Sequence, residues 1–315
     1  MDILSLGECM IEFICERSIS ESQTFRASAA GDAFNTIVAA SRLGSSCGFI
    51  TKVGEDAFGD LLVNRWKSEG IDISHVTHMK GGFNGIYFIS LLPDGQRDFI
   101  YYRKGSAAST ITPIDLDSAY IASAKILHTS GISQAISETS LATVEEAISI
   151  AKNHNVKVSF DPNYRAKLWT KDKALKAYES ILPYVDIAFP DETYGALINK
   201  VDPKEILKYF SDFKIPIIAL KLGQKGILLH QQGREDISYG VLGVQVKDTT
   251  GAGDAFNGGF LHAISEGLPP DECVILGTIT AGLKVTGRGA VDPLPYRKEV
   301  YQLLKAIKTG KKRLI

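Results

Sequence analysis

Along the chain, short runs of consecutive apolar residues alternate with longer stretches in which apolar positions recur every third or fourth residue, the periods of buried strands and one-sided helices. Residues 1–6 form such a run, which stops at Gly7 and resumes at 11–15, predicting a strand that leaves one sheet and enters another. A helix is predicted over 33–43, closed by Gly44, then a strand over 47–53, then a helix opened by Asp56 and stopped by Gly70. There the alternation breaks. Runs at 86–92 and 97–103 flank Pro93, Asp94, Gly95 and Gln96, the pattern of a β-hairpin with a four-residue loop. It resumes with a strand at 126–129 and a helix carrying Leu141, Val144, Ala147, Ile148 and Ala151 on one face. Strands follow at 156–160, 187–189, 217–220 and 227–229, and helices fill the chain from Ala252 onward. This order predicts an α/β fold: a doubly wound, mostly parallel sheet flanked by helices, one domain over 1–315, with a small antiparallel β lid inserted from about 10–30 and 83–104.

Composition narrows the function. With 35 basic and 36 acidic residues the chain lacks the concentrated positive charge of a nucleic-acid surface, and the basic tail of Lys308, Lys311, Lys312 and Arg313 reads as a solvated terminus. No apolar run approaches the ~18 residues of a membrane span. Asp2, Glu8 and Glu12 interrupt what a signal peptide would keep apolar, so a cytoplasmic protein is expected. The four cysteines, Cys9, Cys15, Cys47 and Cys273, show no CxxC spacing and read as reduced core residues, and the six histidines show no zinc-ligand spacing.

The stretch from Asp248 to Gly259 carries the most chemistry. Gly251 and Gly253 let backbone amides approach an anion, and the helix beginning at Ala252 points its positive end at the same place. Asp254, in the first turn, would stand beside that anion site and could take a proton from a hydroxyl. The same residues also suit a tight turn with a capping aspartate. There is no GxxxxGK[ST], and Phe256 stands where a dinucleotide fingerprint needs its third glycine, which argues against a dehydrogenase.

That stretch, DTTGAGDAFNGG, matches the DTxGAGDxFxxG signature of the ribokinase-like (PfkB-type) carbohydrate kinases, and the chain resembles that family over essentially its whole length. Ala30-Gly31-Asp32-Ala33-Phe34-Asn35 resembles its N-terminal glycine motif, and Lys221-Leu222-Gly223-Gln224-Lys225-Gly226 its KxGxxG nucleotide segment. The segments 101–109 and 161–165, with Leu168 and Trp169, are most similar to the family's kinases of 2-keto-3-deoxygluconate.

The resemblance implies ATP-dependent phosphorylation of a sugar acid, with Gly31, Asn35, Tyr87, Tyr101, Arg103 and Arg165 binding the sugar and Asp254 as the base. It implies an anion hole from the Gly251, Ala252 and Gly253 amides, nucleotide contacts at Lys221, Gly223, Gly226, Thr278 and Gly282, and Mg²⁺ on the phosphates. In many relatives the positions of Asp248 and Thr250 help hold K⁺. One departure stands out: where the family carries NxxE, this chain reads Asp191-Glu192-Thr193-Tyr194, leaving Asp191 or Glu192 to organise the magnesium shell. Kinases of fructose, 5-dehydro-2-deoxygluconate or a nucleoside, and a sugar-acid sensor without turnover, are the rival readings.

The residues themselves favour a carboxylate-bearing substrate. Tyr101 and Arg103 share one face of a strand, roughly 7 Å apart, and Arg165 follows a strand at the carboxyl edge of the sheet. Two such arginines could clamp a carboxylate; alternatively Arg103 pairs with an acid at the lid edge and Arg165 caps a loop. His128, Trp66 and Trp169 read as packing residues. The aromatic-rich strands 86–92 and 99–102 would leave an apolar face and open edges wet in a monomer, so a homodimer through the lid sheet is expected.

Overall fold

The computed structural model describes residues 1–91 and 97–315. In chain order the first strands are β1 (Ile3–Leu6), β2 (Met10–Cys15) and β3 (Arg26–Ala30), followed by helix α1 (Asp32–Leu43). Then come β4 (Cys47–Ile50), β5 (Lys52–Gly54), α2 (Ala57–Ser68), β6 (Thr77–Met79), β7 (Ile86–Leu91) and β8 (Arg97–Tyr102). The middle of the chain forms α3 (Ser118–Ala122), β9 (Ile126–Ser130), α4 (Gly131–Ala135), α5 (Glu138–Asn153), β10 (Lys157–Asp161) and α6 (Lys171–Ile181). The remainder forms β11 (Ile187–Ala188), α7 (Glu192–Leu197), α8 (Pro203–Asp212), β12 (Ile217–Lys221), β13 (Ile227–Gln231), β14 (Ile237–Tyr239), α9 (Ala252–Ser265), α10 (Pro270–Lys284) and α11 (Arg297–Lys308).

The large sheet has the order β14-β13-β12-β11-β10-β9-β1-β4; it is parallel from β4 to β12 and ends in two antiparallel strands. Its strands feed two cores by alternation. Ile3, Ile126, Ile187 and Ala219 pack on the side of α1, α9 and α10, while their neighbours Leu4, Leu127, Ala188 and Ile218 pack on the side of α5, α6 and α8. Both faces are therefore covered, and ligands have access at the edge where the parallel strands end. Among the described residues no helix is long and apolar enough to cross a membrane.

The second sheet has the order β3-β2-β7-β8. Its outer pairs run antiparallel, as a lid of hairpins would, while β2 and β7 pair in parallel. The hairpin loop expected at Pro93–Gln96 lies outside the described residues. The strand expected over 47–53 divides: β4 closes the large sheet at its edge, and after Thr51 the chain joins β6 in a separate two-stranded sheet. The turn is held by Asn84, whose Oδ1 accepts the Gly54 amide at 2.9 Å.

Two helices decide where the chemistry sits. Helix α1 ends at Gly44, whose φ of 111° is in the left-handed region that releases the chain. Helix α9 lies against α1 and α10 through Gly258 and Gly259. A Cβ on Gly258 would run into the Thr36 carbonyl and, at 2.5 Å, the Ala39 methyl; one on Gly259 would stand 2.6 Å from the Thr280 hydroxyl. The small residues in the signature thus hold the start of α9 against the start of α1.

Candidate active site

Helix α9 begins at Gly251, whose φ of 73° places it in the left-handed region. The Ala252 amide closes a turn onto the Thr249 carbonyl at 3.1 Å. The Gly253 and Asp254 amides have no carbonyl four residues back inside the helix, which leaves the positive end of the helix dipole at this point. Asp254 follows in the first turn, and its Oδ2 accepts a hydrogen bond from Asn35 Nδ2 at 2.7 Å. Burial and the neighbouring Asp32 push the Asp254 carboxyl up to about 7, against the Asn35 bond and the Lys221 charge. The expected base is thus held through one oxygen and tuned towards neutrality.

Around it runs a network that the motifs contained but whose connections they did not reveal. Asp32 Oδ2 accepts from Asn163 Nδ2 at 2.9 Å. Asp161, at the end of β10, accepts from Lys221 Nζ at 2.5 Å and from Asn257 Nδ2 at 2.7 Å. Every one of these groups leaves a strand end or a helix start at the carboxyl edge of the large sheet.

Two cavities meet at Lys221. The first, about 350 Å³, is lined by Gly251 to Asp254, Asp161, Asn163, Arg165, Asp191 and Glu192. The second, about 770 Å³, is more apolar and takes in Lys221, Gly223, Gly226, Thr278 and Gly282, the residues that the resemblance assigned to the nucleotide. Thr278 Oγ1 is buried there without a hydrogen-bond partner among the described residues. Sequence reasoning missed Val241, Leu242, Val246 and Ile315 on its wall. They belong to extended chain with no motif, brought in by β-type pairing of Val241 with Ile315 at 2.8 and 2.9 Å.

The lid side differs from the expectation. Glu12, Tyr87 and Tyr101 are cross-strand neighbours on adjacent strands. The Tyr87 hydroxyl donates to Glu12, and its ring stacks on that of Tyr101 with centroids 5.5 Å apart. Arg103 lies over Tyr101, 5.7 Å from the ring centre, and forms an ion pair with the buried carboxylate of Glu8. Of the two readings of Arg103, the pairing with an acid at the lid edge is the one seen: Arg165 lines the anion-side cavity, and Arg103 is paired with Glu8. Arg165 is exposed, and its guanidinium donates to the Tyr164 carbonyl at 3.1 Å, so it also ties down its own loop. Gly31 is required by contact, since a Cβ there would run into the Glu8 carbonyl, and its amide donates to Asn35 Oδ1 at 3.3 Å.

Glu8 and Glu12 are the functional candidates the sequence hid. Both sit among apolar residues at the β1–β2 junction and in β2, and only the pairing with β7 and β8 brings them against Tyr87 and Arg103. Burial raises both carboxyls; for Glu12 the Tyr87 bond only partly opposes it, leaving a value of about 7.

Asp191 caps α7, accepting from the Thr193 amide at 2.9 Å and its hydroxyl at 2.5 Å, while Glu192 is exposed and 3.7 Å from Lys225 Nζ. Tyr194, at the last position of the altered NxxE segment, is buried against Phe210 with ring centres 4.6 Å apart, so it faces the core. No cluster of three or more metal-ligating side chains occurs among the described residues. Mg²⁺ is usually held by one or two carboxylates together with phosphates, and Asp191 and Glu192 stand on the cavity wall with Asp161 and Asp254.

The potassium position does not fit in the same way. Asp248 Oδ1 accepts from the Thr250 amide at 2.9 Å and hydroxyl at 2.7 Å, and Oδ2 accepts from the Gly289 amide at 2.8 Å. Its main-chain carbonyl accepts from Lys284 Nζ at 2.9 Å, so a cation is already there. His128 is buried on Ser159 at 3.0 Å, its basicity lowered to about 4 by burial, Trp66 packs on Phe49 and Trp169 on Tyr178, as packing residues would.

Residues 1–297 match the pfkB family carbohydrate kinases. The chain belongs to this family. It is 34% identical to the 2-dehydro-3-deoxygluconokinase of Thermoproteus tenax over 98% of this chain and 95% of that one. It is 31% identical to fructokinase-2 of Solanum lycopersicum over 96% of each. Among solved structures, a candidate ribokinase II of E. coli in complex with ATP and Mg²⁺ superposes with a TM-score of 0.89 at 24% identity, covering 96% of this chain and 99% of that one. The doubly wound sheet with its lid is thus the ribokinase-like fold, and the protein is a carbohydrate kinase of the pfkB type.

Proposed function

We propose that the protein transfers a phosphoryl group from ATP to the terminal hydroxyl of a sugar acid, 2-keto-3-deoxygluconate, giving its 6-phosphate. The observation that carries the kinase chemistry is Asp254 held by Asn35 at 2.7 Å in the first turn of α9, beside the glycine amides and Lys221. With Oδ2 occupied by Asn35, Oδ1 is the oxygen that receives the hydroxyl proton. The Gly251, Ala252 and Gly253 amides and the Lys221 ammonium neutralise the charge of the transferred group, which passes along the line joining the two cavities. The apolar cavity takes the nucleoside, with Thr278 and Gly282 on its wall. Asp191 and Glu192, on the wall of the first cavity, would hold Mg²⁺, which would supply charge neutralisation for the nucleotide phosphates.

The sugar-acid assignment draws support from Arg165 on the anion-side cavity, with Tyr101 close enough to feel its charge, and from the similarity to the Thermoproteus tenax enzyme. A neutral sugar such as fructose is the second reading, favoured by the pairing of Arg103 with Glu8 and by the fructokinase similarity. ADP release measured with 2-keto-3-deoxygluconate, 5-dehydro-2-deoxygluconate, fructose and a nucleoside decides. The acid should give the highest kcat/KM, and a preference for fructose rejects the assignment. Binding of the acid without ADP release would make the protein a sensor.

The lid is proposed to pair with a second copy. Ile100 and Tyr102, on one face of the edge strand β8, are 38% and 62% exposed, an apolar surface that water covers poorly. A cytoplasmic setting belongs to the same proposal, since the four cysteines are buried and unpaired.

A further inference from the structure

The end of α10 carries a lysine that the kinase chemistry described above does not use. Lys284 is completely buried, and its ammonium donates to the Asp248 main-chain carbonyl at 2.9 Å. Burying an ammonium is costly unless its charge is met, and the Asp248 carboxylate beside it does so. Burial disfavours that carboxylate, yet the Thr250 hydroxyl, the Lys284 charge and the Thr250 and Gly289 amides hold it below the ordinary carboxylate range. The segment after α10 is wrapped around the same point. The Val285 carbonyl accepts the Lys247 amide at 2.8 Å and the Asp248 amide at 3.2 Å, and the Gly289 amide reaches Asp248 Oδ2 at 2.8 Å. Ala290 then lies directly behind Gly251, where an added Cβ would stand 3.2 Å from the Ala290 methyl. A cation placed here therefore bears, through Asp248 and 287–290, on the turn that presents the anion-hole amides.

We propose that the Lys284 ammonium is a built-in monovalent cation that holds the anion-hole turn in place, so that the protein needs no potassium ion at Asp248 and Thr250. A potassium ion taking the Asp248 carbonyl as ligand would put two unit charges on one oxygen, in a buried site where repulsion is poorly screened. Lys284 acts here as a positioning residue, through Asp248, and touches no substrate. The activity part of this inference rests on the kinase reading; the stability part does not.

The test begins with the unaltered protein. Its melting temperature, without sugar or nucleotide, is measured in chlorides of potassium, sodium and tetramethylammonium at equal ionic strength, and turnover is measured in the same salts. We expect the same melting temperature and rates within twofold. A potassium-specific rise in melting temperature, or stimulation of fivefold or more, overturns the proposal, and the melting result stands even if the sugar is not the one proposed. In Lys284→Met, kcat should fall at least tenfold in sodium, with potassium or ammonium restoring a large part of the loss and raising the melting temperature. A merely structural lysine would give a loss that no ion repairs. Either that outcome or a Lys284→Met protein with unchanged turnover in every salt also overturns the proposal.

Discussion

The anion end of the site and its lid end are built on different principles. At the first, the start of α9 supplies backbone amides and a helix dipole, and one aspartate is pinned by one asparagine from α1, so most of the chemistry comes from a dozen consecutive residues. At the second, Glu8 is paired with Arg103 and Glu12 with Tyr87 from distant parts of the chain, while Glu12 Oε1 and Arg103 Nε are left buried without a hydrogen bond among the described residues. The first end is poised for a charge that arrives with the ligand, whereas the second has spent much of its charge internally. Under the proposed function, chemistry common to all phosphoryl acceptors would belong to the first, and discrimination between acceptors to the second together with Arg165.

The largest expected effect breaks the anion end. Asp254→Asn should keep sugar KM within a few fold while kcat falls about 10²–10⁴-fold in steady-state assays, the usual contribution of a positioned base. Next, Gly251→Val puts a β-branched residue at a φ of 73° and against Ala290, and should lower kcat roughly 10²-fold, as losing an anion-hole donor does. A normal rate in either variant removes the proposed division of labour.

These two positions were legible because everything they need is local: a glycine that turns, a helix that starts, an acid in its first turn. The same holds for α1 with its Gly44 stop and for most parallel strands, whose apolar runs are unmistakable. The lid was less so. Its hairpin strands could be read, but the parallel pairing of β2 with β7 joins segments more than 70 residues apart, and no local pattern records a register of that range. Glu8 and Glu12 therefore passed for interruptions of an apolar run, and Arg103 looked available because its partner could not be seen. β6 was missed, and β5 was read as the tail of β4, because a pair of three-residue strands scarcely differs from loop. Lys284 resembled the ordinary basic residue that favours a helix's last turn.

The lid end is tested by smaller effects. Arg165→Ala should weaken 2-keto-3-deoxygluconate by about 1.5–3 kcal/mol in kcat/KM relative to fructose, the worth of a hydrogen bond to a charged group, while Arg103→Ala should weaken both substrates and destabilise the fold by leaving Glu8 buried alone. A selective loss in Arg103→Ala instead would restore the two-arginine clamp. Because the Asp254 carboxyl is raised to about 7, kcat/KM should climb through that pH as the base loses its proton, and the limb should survive Glu12→Gln, although Glu12 also lies near 7. The smallest effect is on assembly: Tyr102→Asp should shift light-scattering mass towards the monomer with little change in kcat. An unchanged mass rejects pairing through the lid.

The docking of Ile315 on Val241 has a practical side. Ile315 forms part of the wall of the larger cavity, so a bulkier side chain at this position would narrow the space proposed for the nucleoside.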